Sequence, residues 1–353
     1  MKKINFIFKT LFFASILVLV SCSDDTEQQE PRGDYENGIL ISGEGASAAA
    51  GGTISFISND YTTVESKIYN KVNGTDLSVF LQSMTLEGDN AYIVVDNQNT
   101  ISVVNRYTFQ ELGKITEELS KPRYIAVIGN RGYVTNWGDT SDETDDFIAV
   151  VDVTTFEFIE KIAVGNGPER IVEKDGKLFV SHKGGFTTNN IISVIDINTK
   201  NVSTIEVKSK PDEMEFSSNG DLIVLSGGNE PWTGNETKAA IATINTNSLQ
   251  VTSELVFADG VHPSLMTLNN NSIYYSVGND VYNVSIGATN AATTTLLTAV
   301  DGFFYGMAVK NGKLYALDAS FSDISKVNIF DLSSNEKTNT FDAPLGASKI
   351  YFN

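Results

Sequence analysis

The chain has 353 residues, 44 of them acidic and 25 basic, for a formal net charge of −19 at pH 7. That balance argues against nucleic acid and against an anionic membrane surface as partners, and it suits solubility outside the cell. A single cysteine excludes an internal disulfide framework, and length alone would suggest two domains.

Residues 1–21 read as a lipoprotein signal peptide. Lys2 and Lys3 form a basic start, and residues 11–20 are an apolar run too short for a comfortable membrane span. Leu19-Val20-Ser21-Cys22 matches a lipobox, so Cys22, the sole cysteine, is the expected lipid attachment point. Several acyl chains would hold firmly, since each buried CH₂ contributes ~0.8 kcal/mol. Residues 22–36 are polar, contain Pro31 and Gly33, lack apolar periodicity, and read as a lipidated flexible tether.

From residue 37 to 353 the chain repeats itself. The clearest copy runs from Pro168 to Lys208 and holds four strand-like runs: 169–173, 177–182, 191–197 and 202–207. Asp175-Gly176 lies between the first two and predicts a type I′ hairpin turn, which needs positive φ at both central residues. Pro122, Pro168, Pro211 and Pro263 open successive copies at spacings of 46, 43 and 52 residues. Copies without the proline span residues 81–116 and 304–341.

A four-stranded meander exposes two apolar faces and is not stable alone, so stacked copies at this period predict a β-propeller. Residues 38–69 supply only three runs, GILIS, GTISFIS and TVESKIY, and GASKIYFN (346–353) resembles an opening strand with no blade after it. The predicted fold is therefore all-β: a seven-bladed propeller of four-stranded blades, with the C-terminal strand completing the first. One propeller then fills the chain after the tether, against the two-domain prior.

In such a fold the loops between second and third strands share a face with the blade-to-blade connections. The former are long here: 42–52, 136–146, 182–190, 226–238 and 318–325. Long loops on a rigid scaffold are where binding residues gather. Trp137 and Trp232 fall in them, His182 ends a second strand, and His262 precedes Pro263. Arg123 and Tyr124, Glu169 and Arg170, and Asp212 and Glu213 follow the opening prolines, with Tyr305 (beside Phe303 and Phe304) in the matching place. These eleven residues are the predicted ligand-binding set, and aromatic faces with a few polar groups suit a small organic ligand.

Catalytic signals are thin. No G-x-S-x-G elbow, zinc motif or Gly-rich phosphate loop is present. Lipidation of Cys22 would remove it from a Cys-His pair, and no catalytic residue, metal or cofactor is expected. The acidic run Asp139, Asp142, Glu143, Asp145 and Asp146 lacks the calcium-loop spacing and reads as solvated charge.

YVTNWGD (133–139) with FIAVVDVTT (147–155), and GKLFVSHKG with IISVIDINTK (191–200), resemble the repeats of YncE-like seven-bladed propellers, also labelled surface-layer propeller proteins. The likeness covers nearly the whole chain after the tether. Asp24, Asp25 and Glu27 behind Cys22 are similar to the export signal of Bacteroidetes surface lipoproteins. The combination resembles surface propeller lipoproteins of that group, including the BtuG-type proteins, which bind cobalamin outside a TonB-dependent transporter. What this implies is an outer-membrane, lipid-anchored binding protein facing the cell exterior. It would capture a small organic ligand, with a corrinoid as one candidate, and pass it to an outer-membrane transporter. The alternatives are a structural or adhesion propeller and, further off, a lactonase-like hydrolase. The hydrolase would need His182 or His262 against a carboxylate in the channel mouth.

Overall fold

The computed structural model describes residues 32–47, 49–139 and 141–353. The signal peptide, Cys22 and most of the tether lie outside the described residues. Seven four-stranded antiparallel sheets form the ring of a β-propeller. The fourth blade has strands Pro168–Lys174, Lys177–His182, Ile191–Asp196 and Val202–Glu206, within a residue or two of the expected runs. Its first turn has φ of 51° at Asp175 and 76° at Gly176, the mirror-image turn that Asp-Gly favours. Asn311-Gly312 repeats it in blade 7, with φ of 52° and 73°.

The ring closes as expected. The C-terminal strand Ala347–Phe352 pairs antiparallel with Gly38–Ser47 and becomes the inner strand of blade 1. This covers the inner edge of Gly38–Ser47 and ties the two ends of the described chain together. Asn353 reinforces the closure by donating its side-chain amide to the carbonyl of Arg106, at 2.9 Å.

The core is divided among the blade interfaces. Among the described residues the buried apolar side chains form seven clusters, one at each interface. Strand alternation produces this. In Asn90–Val95, Ile93 and Val95 face blade 1 while Tyr92 and Val94 face blade 3. Every blade thus buries both faces, at ~1.5–3 kcal/mol per large apolar side chain, and none could do so alone.

Two expectations are revised. The run TVESKIY holds only the two-residue strand Val64–Glu65, and the helix Ile68–Asn73 follows. Lys67 turns left-handed there (φ 54°), which drops Ile68 and Tyr69 into the interface between blades 1 and 2. The 42–52 segment is largely extended strand, paired Gly45↔Gly51 and Ser47↔Ala50 across a bulge. At the N-terminal side, Tyr35 is buried edge-on against Phe56 and Phe109, with ring centres 5.4 and 5.5 Å away. The packed body therefore begins within the stretch read as tether.

Candidate ligand-binding mouth

The inner strands of six blades carry the same irregularity at one end. In blade 3, Pro122 pairs with Asn136 and Ile125 with Val134, so one extra residue is squeezed into the inner strand. The shift recurs at Pro168/Ile171, Pro211/Met214, Leu81/Ser83, Phe304/Gly306 and Ser42/Gly43. A β-bulge re-aims side chains, and proline is tolerated where the ladder is already broken. The bulged residues are the pairs that follow the prolines, together with Gln82, Tyr305 and Ser348.

Hydroxyls on the second strands lock the bulges and couple neighbouring blades. Thr135 Oγ1 accepts the Tyr124 N–H at 2.9 Å and donates to the Glu169 carbonyl at 2.8 Å. Ser181 Oγ repeats this with the Arg170 N–H and the Asp212 carbonyl, both at 3.1 Å.

The bulges surround an open cavity of about 470 Å³ at one end of the central channel, a size that suits a small organic molecule. Eight of the eleven predicted residues line it: Arg123, Tyr124, Trp137, Glu169, Arg170, Asp212, Glu213 and Tyr305. A second chamber of about 430 Å³ continues down the channel. The two share a neck of Tyr124, Arg170, Glu213, Leu265 and Lys349.

One side of the mouth is an ionic arc across blades 2 to 5. Arg123 binds Glu169 through two nitrogens at 3.1 and 3.0 Å and Asp96 at 2.7 Å. Its guanidinium also stacks 3.9 Å from the Trp137 ring centre, and Trp137 Nε1 donates to the Pro168 carbonyl at 3.0 Å. Arg170 binds Asp212 at 3.1 Å and also Glu213, and Lys183 reaches Asp212 at 2.6 Å.

Burial sets the protonation pattern of this arc. It disfavours the Arg123 charge, but Glu169 and Asp96 outweigh it and hold that pKa above the ordinary value. Asp212 is also penalised by burial, yet Lys183 and Arg170 pull its pKa well down. Glu213 has less compensation, so burial raises its pKa despite Arg170. Deeper in the channel, burial lifts Glu215 to about 7, although the Leu268 N–H donates to its carboxylate at 3.1 Å.

The opposite side is aromatic. Phe303 and Tyr305 stack at 5.0 Å, and Phe321 closes on Tyr305 at 5.7 Å. Phe303 is 52% exposed, and across the mouth Phe186, packed edge-on to Trp137, is 76% exposed. Tyr305 lies beside Glu44, and burial raises the pKa of both groups.

Three predicted residues lie outside the mouth lining. His182 is fully buried, with Nδ1 3.1 Å from the Asn166 carbonyl, and burial lowers its pKa to about 4. Trp232 is 81% exposed in a short 3-10 turn, Pro231–Thr233. His262 Nδ1 faces the Gly227 carbonyl at 2.8 Å, and Nε2 is 3.4 Å from Glu236, which is also outside the lining. Neither histidine meets a carboxylate in the mouth, so the geometry a histidine-based hydrolase requires is not present there.

Glu44, Asp96, Lys183 and Lys349 line the mouth without having been singled out. A signal existed for Lys349: Ile350 pairs with Ile41 as Ile171 pairs with Val180, which puts Lys349 in the place of Arg170. In the acidic loop, Asp145 accepts the Asp139 N–H at 2.9 Å and Asp146 accepts the Gly167 N–H. Among the described residues no three His, Cys, Asp or Glu side chains are grouped to hold a metal ion.

Fold and mouth define a seven-bladed β-propeller with a ligand-sized opening at one end of its channel. The chain belongs to the family described as domain of unknown function DUF5074, whose model matches residues 37–342. Its fold is similar to that of a functionally unknown protein from Desulfotomaculum acetoxidans DSM 771, at 10% identity and TM-score 0.64, covering 90% of this chain and 99% of that one. It is also similar to a hydrazine synthase chain from Kuenenia stuttgartiensis, at 20% identity and TM-score 0.61, covering 78% and 91%. A third likeness is to the dihydro-heme d1 dehydrogenase NirN, at 11% identity and TM-score 0.58, covering 92% and 77%. At these identities the likeness establishes the fold alone.

Proposed function

We propose that this is a surface-anchored binding protein that captures a small organic ligand in the propeller mouth. The observation that carries the reading is the mouth itself: about 470 Å³ of open space, walled on one side by locked ion pairs and on the other by exposed aromatic rings. Ion pairs already satisfied within the wall give a rigid, preorganised rim, so little ordering cost falls on binding. The aromatic side offers apolar stacking area.

The lipobox at Cys22 supports attachment to the outer membrane, with the mouth available to the exterior. A corrinoid is one candidate ligand, and a TonB-dependent transporter is the proposed recipient. The test is calorimetric titration of the purified protein with corrinoids, oligosaccharides and aromatic acids. The proposal expects at least one ligand with micromolar or tighter affinity, and loses its basis if none binds. Co-isolation from outer membranes tests the transporter separately.

A second reading, a protein-contact propeller, draws on the exposed apolar groups Trp232 and Ile324. It predicts that Trp232→Ala abolishes capture of an outer-membrane partner while leaving ligand titrations unchanged.

A further inference from the structure

Ten charged side chains line the mouth, five acidic and five basic. Most are committed to one another. Asp96 and Glu169 hold Arg123, and Asp212 and Glu213 hold Arg170, with Lys183 also on Asp212. Three are left over: Glu44, Lys121 and Lys349. Among the described residues, no carboxylate lies within 4.0 Å of either of those lysines. Burial raises the Glu44 pKa, with Lys349 opposing. Two lysines thus stand outside the ion pairs against one carboxylate, in a mouth whose ten charges balance, on a chain whose net charge is −19.

Lys349 has the more telling place. It sits on the closing strand, half-buried at the neck where the mouth meets the lower chamber. Beside it, at the bulge, Ser348 is 1% exposed, its hydroxyl turned toward the Glu44 carboxylate rather than into the mouth. A half-buried ammonium with no carboxylate in ion-pair contact favours an acceptor carrying negative charge. The rings of Tyr305, Phe303, Trp137 and Phe186 line the same mouth.

We propose, on the reading that the mouth is the binding site, that its ligand is an amphipathic organic anion whose carboxylate, phosphate or sulfonate is held by Lys349 while its apolar face lies on the aromatic wall. Lys349 supplies the local attraction for the charged group, and the rings add affinity only for anions that bring apolar surface.

Two dyes test this, because they share their rings and differ by one charged group: 8-anilinonaphthalene-1-sulfonate and neutral N-phenyl-1-naphthylamine. In fluorescence titrations the intact protein should bind the sulfonate about tenfold or more tightly than the neutral dye, the scale of one charge-assisted hydrogen bond. Lys349→Met should erase that gap without weakening the neutral dye, and Lys349→Arg should keep it. A test without variants is displacement: 1-naphthoate should compete with the sulfonate dye and 1-naphthamide should not. Equal affinity for both dyes, or a gap that survives Lys349→Met, overturns the anion preference. The mouth reading then still stands, provided Phe303→Ala weakens both dyes. If neither dye binds, or Phe303→Ala changes nothing, both readings fall.

Discussion

On the face opposite the mouth, five blades close their outer hairpin with one device. Asn105, Asp152, Asp196, Asn245 and Asp331 each turn a side-chain oxygen onto backbone N–H groups two or three residues on. The residue four positions on, Phe109, Phe156, Lys200, Leu249 or Asn335, then adopts φ of 56–65° and donates back to the first carbonyl. Those turns need only close, and Asx-type closure depends on one short polar side chain. The mouth has the same sevenfold frame but presents a different pair in each blade: Arg123-Tyr124, Glu169-Arg170, Asp212-Glu213 and so on round to Ser348-Lys349. Uniform chemistry on one face and individual chemistry on the other separates what the scaffold requires from what a ligand would require.

The largest effect that would sharpen this contrast is expected at Arg170. Replacing it by Met leaves Asp212 and Glu213 facing each other with only Lys183 as a direct partner, so urea unfolding at pH 7 should show a loss of about 3–5 kcal/mol. The next effect comes from His182, which the fold holds neutral. Its pKa is lowered to about 4, so the unfolded chain takes up a proton that the native state refuses. Stability from this group is full above about pH 6.5 and falls as the pH drops toward 4, by about 3 kcal/mol at most. Unfolding curves at pH 7 and pH 4.5 should show that His182→Gln is less acid-sensitive than the intact protein.

Glu215 should show the opposite slope. Its native pKa is raised to about 7, so its contribution is full at low pH and is lost as the pH rises through 7. Glu215→Gln should therefore be more stable than the intact protein at pH 8, by about 3 kcal/mol at most, and gain nothing at pH 4. The smallest effect is expected on the opposite face. Asp196→Ala should lower the melting temperature slightly, by loosening one turn, and leave mouth binding untouched. A binding defect in that variant would undo the division between the faces.

The fold was legible because it is written many times. Each blade repeats an opening residue, a tight turn and alternating apolar runs, so an error in one copy is corrected by the others. The helix Ile68–Asn73 occurs once, and nothing in SKIY distinguishes it from another outer strand. The mouth was legible where a proline marked the bulge, as at Arg123 and Glu169. Where no proline stood, Glu44, Asp96 and Lys349 went unmarked although they share the frame. The histidines misled for another reason. Rarity made them conspicuous, but His182 occupies a second-strand end that packs inward on Asn166. Composition cannot tell an inward position from one at the rim.

Whether the mouth is the place of binding is decided by co-crystallisation with the tightest ligand from the titration panel. Ligand density is expected in the mouth, against Tyr305, Trp137 and Lys349. Density seated elsewhere, such as in the groove beside Leu77 and Ile324, with the mouth empty, would contradict it.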